Sequence, residues 1–512
     1  LYPTLMKTIL IAIILLIVYN LNDITKPFKK INRRTWVILF LVFLCGLTIR
    51  LFSIPHIHQL YFDEFSHLNV AENILYSNKS CWCFAGSNQV CEGCQLMPQP
   101  PGYPTILALT MGLFGDSEAV AFNTTAVIGS VSIILVFLLL FLTFQDSALA
   151  LMGAFVFTFI PAHLKYSGTT VLEVFSLFSV VLAMISIEIY LRTKKPSTFS
   201  LFLATLLYAL NSRVENFLLL IPLSLYILLE EGKEVKRFLK KEYLAPIFIF
   251  LVLLIPLAQL ISYDLAIGPP TYTETLQTRL SYLQIQFIPN ILFIFFDIGY
   301  TSIVLSLLCV LGAIELYFEN TKSFIYYSLF FLLFISFYST LSVGGSASTN
   351  SDFTRFAFIL YVPLTILSVA GINFIFKKMQ FDRTILIMLL GSAYLISLFP
   401  TQNFIFSKDE LNGEHEFILS MQHKLPADVY IISYETTIII STTHKNSIMP
   451  TNFIENWNSV EPKNNVILFE DYWWYENSNE SSRIEAELRK HYNFELMAQS
   501  PEGYAFYNLT SK

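Results

Sequence analysis

Tyr61-Phe62-Asp63-Glu64-Phe65-Ser66-His67 places two adjacent carboxylates, and a histidine four residues after the first, just beyond a long apolar segment at 36–54. Charge placed next to such a segment needs a reason. The apolar positions Phe65, Leu68, Ala71, Ile74 and Leu75 recur at helical spacing and predict a helix from Glu64 to Tyr76. Asp63 and Glu64 then lie at its N-terminus, where free amide groups and the helix dipole favour ionised carboxylate, and His67 falls one turn on, on the face of Asp63. A carboxylate base beside a polar helper is what this spacing suits.

The flanking composition sets the surroundings. Apolar residues make up 54% of the 512 positions and charged ones 14%, with a mean hydropathy of +0.57; soluble domains carry about 25% charge. Reading about 20 apolar residues as one crossing predicts about twelve membrane helices, near 4–20, 36–54, 119–143, 147–163, 169–191, 197–212, 214–230, 244–263, 299–318, 323–341, 357–376 and 384–400. The expected fold is a mainly α, polytopic membrane protein over 1–400, followed by a small external α/β domain over 401–512.

Sidedness follows from lysine and arginine. Lys26, Lys29, Lys30, Arg33 and Arg34, then Arg192, Lys194 and Lys195, then Lys233, Lys236, Arg237, Lys240 and Lys241, then Lys322, and then Lys377, Lys378 and Arg383 occupy alternate loops, which are therefore read as cytoplasmic. The opposite loops between spans hold only Lys79, Lys165, Arg213, Arg279 and Arg355. The Asp63 loop and everything beyond 400 are thus expected outside the cell membrane. The chain begins at Leu1, so an upstream span would move the N-terminus but no other assignment. The cytoplasmic basic residues are topology and do not indicate nucleic acid.

Cys81-Trp82-Cys83 and Cys91-Glu92-Gly93-Cys94 lie in the first outer loop. Two disulfides stapling that loop are the default outside a membrane, and a structural zinc held by the four thiolates is the competitor, since Cys-x-x-Cys suits metal whereas Cys-x-Cys departs from the usual spacing. Four prolines within Met97-Pro98-Gln99-Pro100-Pro101-Gly102-Tyr103-Pro104 then force an extended path into a short helix at Thr105 to Leu113. Later outer segments contain Gly268-Pro269-Pro270 with Arg279, an aromatic interfacial stretch from Phe287 to Phe296, and a run of small residues from Ser342 to Asp352 that ends at Arg355.

Beyond 401, Asp409–Lys424 and Arg483–His491 read as helices, Val429–Ser433 and Val466–Phe469 as strands, and Phe494–Met497 with Tyr504–Tyr507 as a closing hairpin. Of the eight histidines, all on the outer side, His56, His58, His67 and His163 are the candidates to converge with Asp63 on a metal or a phosphate. A divalent metal near Asp63, Glu64 and His67 is open, although no strong ligand spacing supports it.

Ionisable residues at membrane level are functional candidates by default. An acid pair shares one face with the isolated cations Lys165, Arg213, Arg279 and Arg355, and no nucleotide-binding fingerprint is visible. A lipid-linked phosphate donor satisfies both facts. The cations would hold the phosphate and stabilise the charge that develops as it leaves, while a carboxylate removes the acceptor's proton.

Several motifs in order carry a resemblance. Asp63-Glu64 opens a helix in the first outer loop, Pro100-Pro101-Gly102-Tyr103-Pro104 leads into an apolar helix, Lys165-Tyr166-Ser167 is backed by Glu173, Ser212-Arg213-Val214-Glu215 forms a turn, and Arg355-Phe356 precedes a span containing Pro363. The region from 36 to 400 resembles membrane glycosyltransferases of the C-type fold, among them the protein O-mannosyltransferases and lipid A aminoarabinose transferases. The resemblance implies a polyprenyl-phosphate sugar donor and an acceptor that is a protein, lipid or glycan. It implies Asp63 as general base, Glu64 as second acid or acceptor-orienting group, and Arg355 with Lys165 as phosphate ligands. His67, Arg213 and Arg279 join them as candidates for binding lipid phosphate or acceptor. The cysteine turn, His67 and the short C-terminal segment depart from the family pattern. Oligosaccharyltransferases also place a histidine four residues after an outer-loop aspartate, but their Trp-Trp-Asp-Tyr-Gly signature is here Trp473-Trp474-Tyr475-Glu476. A lipid or solute transporter would instead show paired repeats and broken helices near the membrane midplane.

Overall fold

The computed structural model describes residues 2–512 except 88, 98, 268–274, 298, 342–352, 380–381, 408–411 and 456–464. The Gly268-Pro269-Pro270 turn, the Ser342–Asp352 run, Pro98 and Asp409 therefore lie outside the described residues. Among the described residues, nine helices are long and apolar enough to cross a membrane: Tyr2–Tyr19, Arg33–Ser53, Glu118–Phe144, Leu172–Thr193, Lys241–Ser262, Leu276–Phe296, Thr321–Tyr338, Thr354–Lys378 and Arg383–Phe406. A tenth is counted if Ser147–Thr158 and Pro161–Ser167, bent by 60°, form one span.

The differences from twelve have local causes. Pro196–Leu210 is only 15 residues long and Ile303–Glu319 only 17, and the expected span 214–230 begins as a 3₁₀ turn at Val214–Leu219 before Leu220–Glu231. Pro196–Leu210 is largely covered by neighbouring helices, so full bilayer length is not imposed on it, whereas Ile303–Glu319 and Leu220–Glu231 keep exposed apolar side chains such as Leu307, Val310, Ile221 and Leu228 and are short or broken spans. Conversely, the stretch read as interfacial from Phe287 to Phe296 belongs to the 21-residue helix Leu276–Phe296.

Two packing features hold the bundle. Ile303–Glu319 and Tyr361–Lys378 approach so closely that a Cβ added at Gly312 would run into the Leu367 carbonyl, and one at Gly371 into the Leu308 carbonyl. Small residues allow that approach between apolar helices. Near the C-terminal end of Arg33–Ser53, the fully buried Arg50 is satisfied by Gly46 O (3.1 Å), Thr158 O (3.1 Å), His163 Nδ1 (2.9 Å) and Ser167 Oγ (3.2 Å). The break before Pro161 leaves the Thr158 carbonyl available for this.

Outside the bundle lies a seven-stranded sheet. Its strands are β1 (Cys81–Gly86), β2 (Cys91–Leu96), β3 (Tyr430–Ile432), β4 (Asn446–Ile448), β5 (Val466–Glu470), β6 (Tyr492–Gln499) and β7 (Ala505–Ser511), in the order β2-β1-β4-β3-β5-β7-β6. β3 is parallel to β4 and β5, and the other pairs are antiparallel. The cysteine loop is thus part of the C-terminal sheet, joined through Ala85 and Gly86 opposite Ile448 and Ser447. Cys81–Cys94 and Cys83–Cys91 are disulfides across β1 and β2. Sulfurs bonded to each other hold no zinc, so the tetrathiolate alternative falls.

Gly312→Ala is expected to lower stability by about 1–3 kcal/mol through overpacking. Gly391→Ala, where an added Cβ meets only Phe155 at 3.7 Å, should leave it unchanged. Thermal melting of the detergent-purified variants checks both.

Candidate active site at Asp63

The helix predicted from Glu64 runs from Phe62 to Ser77, with Asp63 and Glu64 in its first turn. Tyr61, immediately before it, has φ of +32°, a conformation that a bulky side chain adopts only when its surroundings impose it. Glu64 is what imposes it. Its carboxylate, fully buried, accepts from Gln59 N (2.6 Å), Leu60 N (2.8 Å), Thr170 N (2.8 Å), Thr170 Oγ1 (2.9 Å) and His58 Nδ1 (3.0 Å). The loop before the helix, the helix itself and the turn at Thr170 are pinned to one side chain.

Asp63 points the other way, with its side chain 46% exposed, and is ion-paired with Arg355. Arg355 is backed by Glu173, whose Oε1 lies 3.5 Å from Arg355 Nε and 3.4 Å from Arg213 Nη1. Arg213 also pairs with Glu215 (3.0 Å) and donates to the Arg355 carbonyl (3.2 Å). Both guanidinium groups stand over the Phe356 ring, 5.1 and 5.3 Å from its centre. The Pro-Pro-Gly-Tyr-Pro run supports this arrangement. Gly102 N donates to Asn211 O (2.9 Å), where no Cβ would fit, and the Tyr103 ring meets His67 edge to face at 5.9 Å.

Desolvation works against ionisation of Asp63, but the Arg355 charge and hydrogen bond, with help from His67 and Arg213, hold its carboxyl below the usual range. Burial, opposed by Asp63 and reinforced by Arg355, lowers His67 to about 4, so its imidazole is neutral near pH 7. Asp63 is therefore the ionised acceptor here and His67 a neutral neighbour.

The sequence candidates separate accordingly. Asp63, His67, Arg213 and Arg355 come together, with Glu173 and Glu215. Lys165 contributes none of these bonds; its Nζ donates to Ser407 Oγ (2.7 Å) and lies over Phe404 at 4.5 Å. Arg279, in the first turn of Leu276–Phe296, contributes none either. The four histidines do not converge: His56 reaches Arg50 O, His163 reaches Arg50 itself, and His58 faces Glu64 and Glu118. Two groups escaped sequence reading because their members are far apart in the chain. One is His58, Glu118 and His415. The other, beside Tyr61, is the buried set Glu414, Glu435 and Asp471, in which desolvation, reinforced by Asp471, raises Glu414 to about 8.

Residues 98–259 match the family described as dolichyl-phosphate-mannose-protein mannosyltransferase. Among solved structures, ArnT from Cupriavidus metallidurans bound to undecaprenyl phosphate superposes with a TM-score of 0.63 at 10% identity, over 93% of this chain and 98% of that one. The Archaeoglobus fulgidus oligosaccharyltransferase in complex with Zn and sulfate gives 0.55 at 13% identity, over 92% and 72%. The chain has the C-type glycosyltransferase fold. That is the fold which the order of its motifs led us to expect, and the family match falls within it, over residues 98–259. No curated protein matches the sequence significantly.

Glu64→Gln, which puts an amide among five donors, should cost about 3–5 kcal/mol, the scale of breaking a buried charge network. Asp63→Asn, at a half-exposed pair, should stay within about 1 kcal/mol. Parallel melting curves of the two variants distinguish a holding carboxylate from a working one.

Proposed function

We propose that this protein is a glycosyltransferase that moves a sugar from a polyprenyl-phosphate donor to an acceptor hydroxyl or amine at the outer face of the membrane, with inversion. The observation that carries the reading is the half-exposed Asp63 carboxylate held against Arg355. Arg355 and Arg213 behind it are braced by the buried Glu173.

In this reading the resting ion pair is exchanged when donor arrives. The donor phosphate takes Arg355 and Arg213, whose guanidinium forks suit phosphate oxygens, and Asp63 loses the cation that depresses its basicity. Asp63 then removes the acceptor proton as the acceptor atom bonds to the anomeric carbon. The bond from that carbon to the phosphate oxygen breaks with its electron pair going to the phosphate, which leaves as lipid phosphate. One displacement from the face opposite the lipid inverts the centre. Two further considerations support the reading: the matched family is described by a dolichyl-phosphate sugar, and one structural neighbour is bound to undecaprenyl phosphate. Lys165, occupied by Ser407, is assigned to docking the segment after Arg383–Phe406 rather than to the donor.

Transfer of radiolabelled sugar from polyprenyl-phosphate sugar to membrane acceptors tests this. Asp63→Asn should lose about two orders of magnitude or more in turnover, the scale of a missing general base, and bind donor at least as tightly, since its phosphate no longer competes with a carboxylate for Arg355. Arg355→Met should weaken binding of the lipid phosphate. Full activity in Asp63→Asn, at matched levels of folded protein, would end the assignment.

A further inference from the structure

Three side chains from distant parts of the chain meet behind Glu64. His58 comes from the loop before Phe62–Ser77, Glu118 from the first turn of Glu118–Phe144, and His415 from Asn412–Met421 on the sheet side. One nitrogen or carboxylate oxygen from each lies within 4.8 Å of the others. His415 Nε2 is 3.1 Å from Glu118 Oε1, and His58 Nε2 is 3.6 Å from Glu118 Oε2. Zinc bonds of about 2.0–2.1 Å in tetrahedral geometry set ligand atoms about 3.3 Å apart, so the triangle is close to the size an ion requires.

The orientation of His58 is the second observation. Its Nδ1 is hydrogen-bonded to Glu64 at 3.0 Å, which turns Nε2 toward Glu118 and His415. His58 is 1% exposed, and Nε2 has no hydrogen-bond partner among the described residues. The ring is held at 4.1 Å from Phe65 and 4.9 Å from Phe122. A buried imidazole with a carboxylate behind one nitrogen and the other nitrogen open is how metal-bound histidines are oriented.

We propose that His58, Glu118 and His415 bind one divalent transition-metal ion of the zinc type, with water in the fourth position. Two neutral imidazoles and one carboxylate, with Glu64 as the outer carboxylate, balance a charge of two. That donor set favours zinc over magnesium or calcium, which prefer all-oxygen sites. The ion would clamp Asn412–Met421 to the membrane helix and brace the carboxylate that positions Asp63. It differs from a metal at Asp63, Glu64 and His67, and it does not depend on the transfer reaction.

The test is metal analysis of the full chain, purified in detergent, stripped with chelator and reloaded with Co²⁺ or Zn²⁺. One ion per chain is expected, with the visible absorption of tetrahedral Co²⁺ and a melting temperature that rises on reloading. His415→Ala and Glu118→Gln should lose the ion and the metal-dependent shift, and Asp63→Asn should keep both. His415→Cys guards against simple misfolding, because it should retain cobalt and add a thiolate-to-cobalt charge-transfer band. Only trace metal after reloading, which would leave His58 merely as a charged bridge between Glu64 and Glu118, overturns the proposal. So does unchanged metal content in His415→Ala and Glu118→Gln, or loss of the ion in Asp63→Asn.

Discussion

The buried Glu64 carboxylate is the constraint on which the site depends. A fully desolvated charge is tolerable only when its lone pairs are occupied, and here five donors from His58, Gln59, Leu60 and Thr170 occupy them. Meeting that requirement draws the loop before Phe62–Ser77 under the helix and forces Tyr61 into a positive φ. It also fixes the helix against the turn that follows Pro161–Ser167. Asp63, one residue earlier, has no choice but to face the opposite side, toward Arg355. Adjacent carboxylates thus divide the labour by burial.

The charges around Asp63 have a second property. Arg213 and Arg355 share Glu173 and the Phe356 face, so both guanidinium groups are held before any ligand arrives. Preorganised donors aimed at a developing anion are the largest single contribution in many transfer reactions. Holding them costs a resting ion pair with the base itself. An arrangement of this kind ties activation of the carboxylate to arrival of the phosphate, which disfavours loss of the activated state to water.

Local signals made part of this legible. Apolar segments, the cationic loops, the Asp63 helix and the disulfide alternative follow from spacing and composition, because each is decided within about 20 residues. Arg213, Arg355 and His67 were readable as isolated ionisable groups near a membrane. Glu64, in contrast, looks like Asp63 in sequence; only the donors from Thr170, 106 residues away, reveal that it is the buried, hydrogen-bonded member of the pair. The same holds for the cysteine hairpin, whose pairing with Asn446–Ile448 spans most of the chain, and for His58 with Glu118 and His415. The place of Lys165 beside Ser407, 242 residues on, was out of reach of local signals for the same reason. Span counting differs from the helix count where a span is short or broken, as at Pro196–Leu210, Ile303–Glu319 and the 3₁₀ turn before Leu220–Glu231, because hydropathy measures composition and not backbone continuity.

The exchange of Arg355 from Asp63 to the donor phosphate is tested most directly by the acid limb of the pH–rate profile, measured for both kcat/KM and kcat. The first reports the free enzyme and the second the donor-bound complex. In the free enzyme Arg355 holds the Asp63 carboxyl below its ordinary range, so kcat/KM should fall only as the pH drops below that range. With phosphate on Arg355 the carboxyl regains protons more readily, and the limb in kcat should lie at higher pH. Coincident limbs, or a limb in kcat displaced to lower pH, would contradict the exchange.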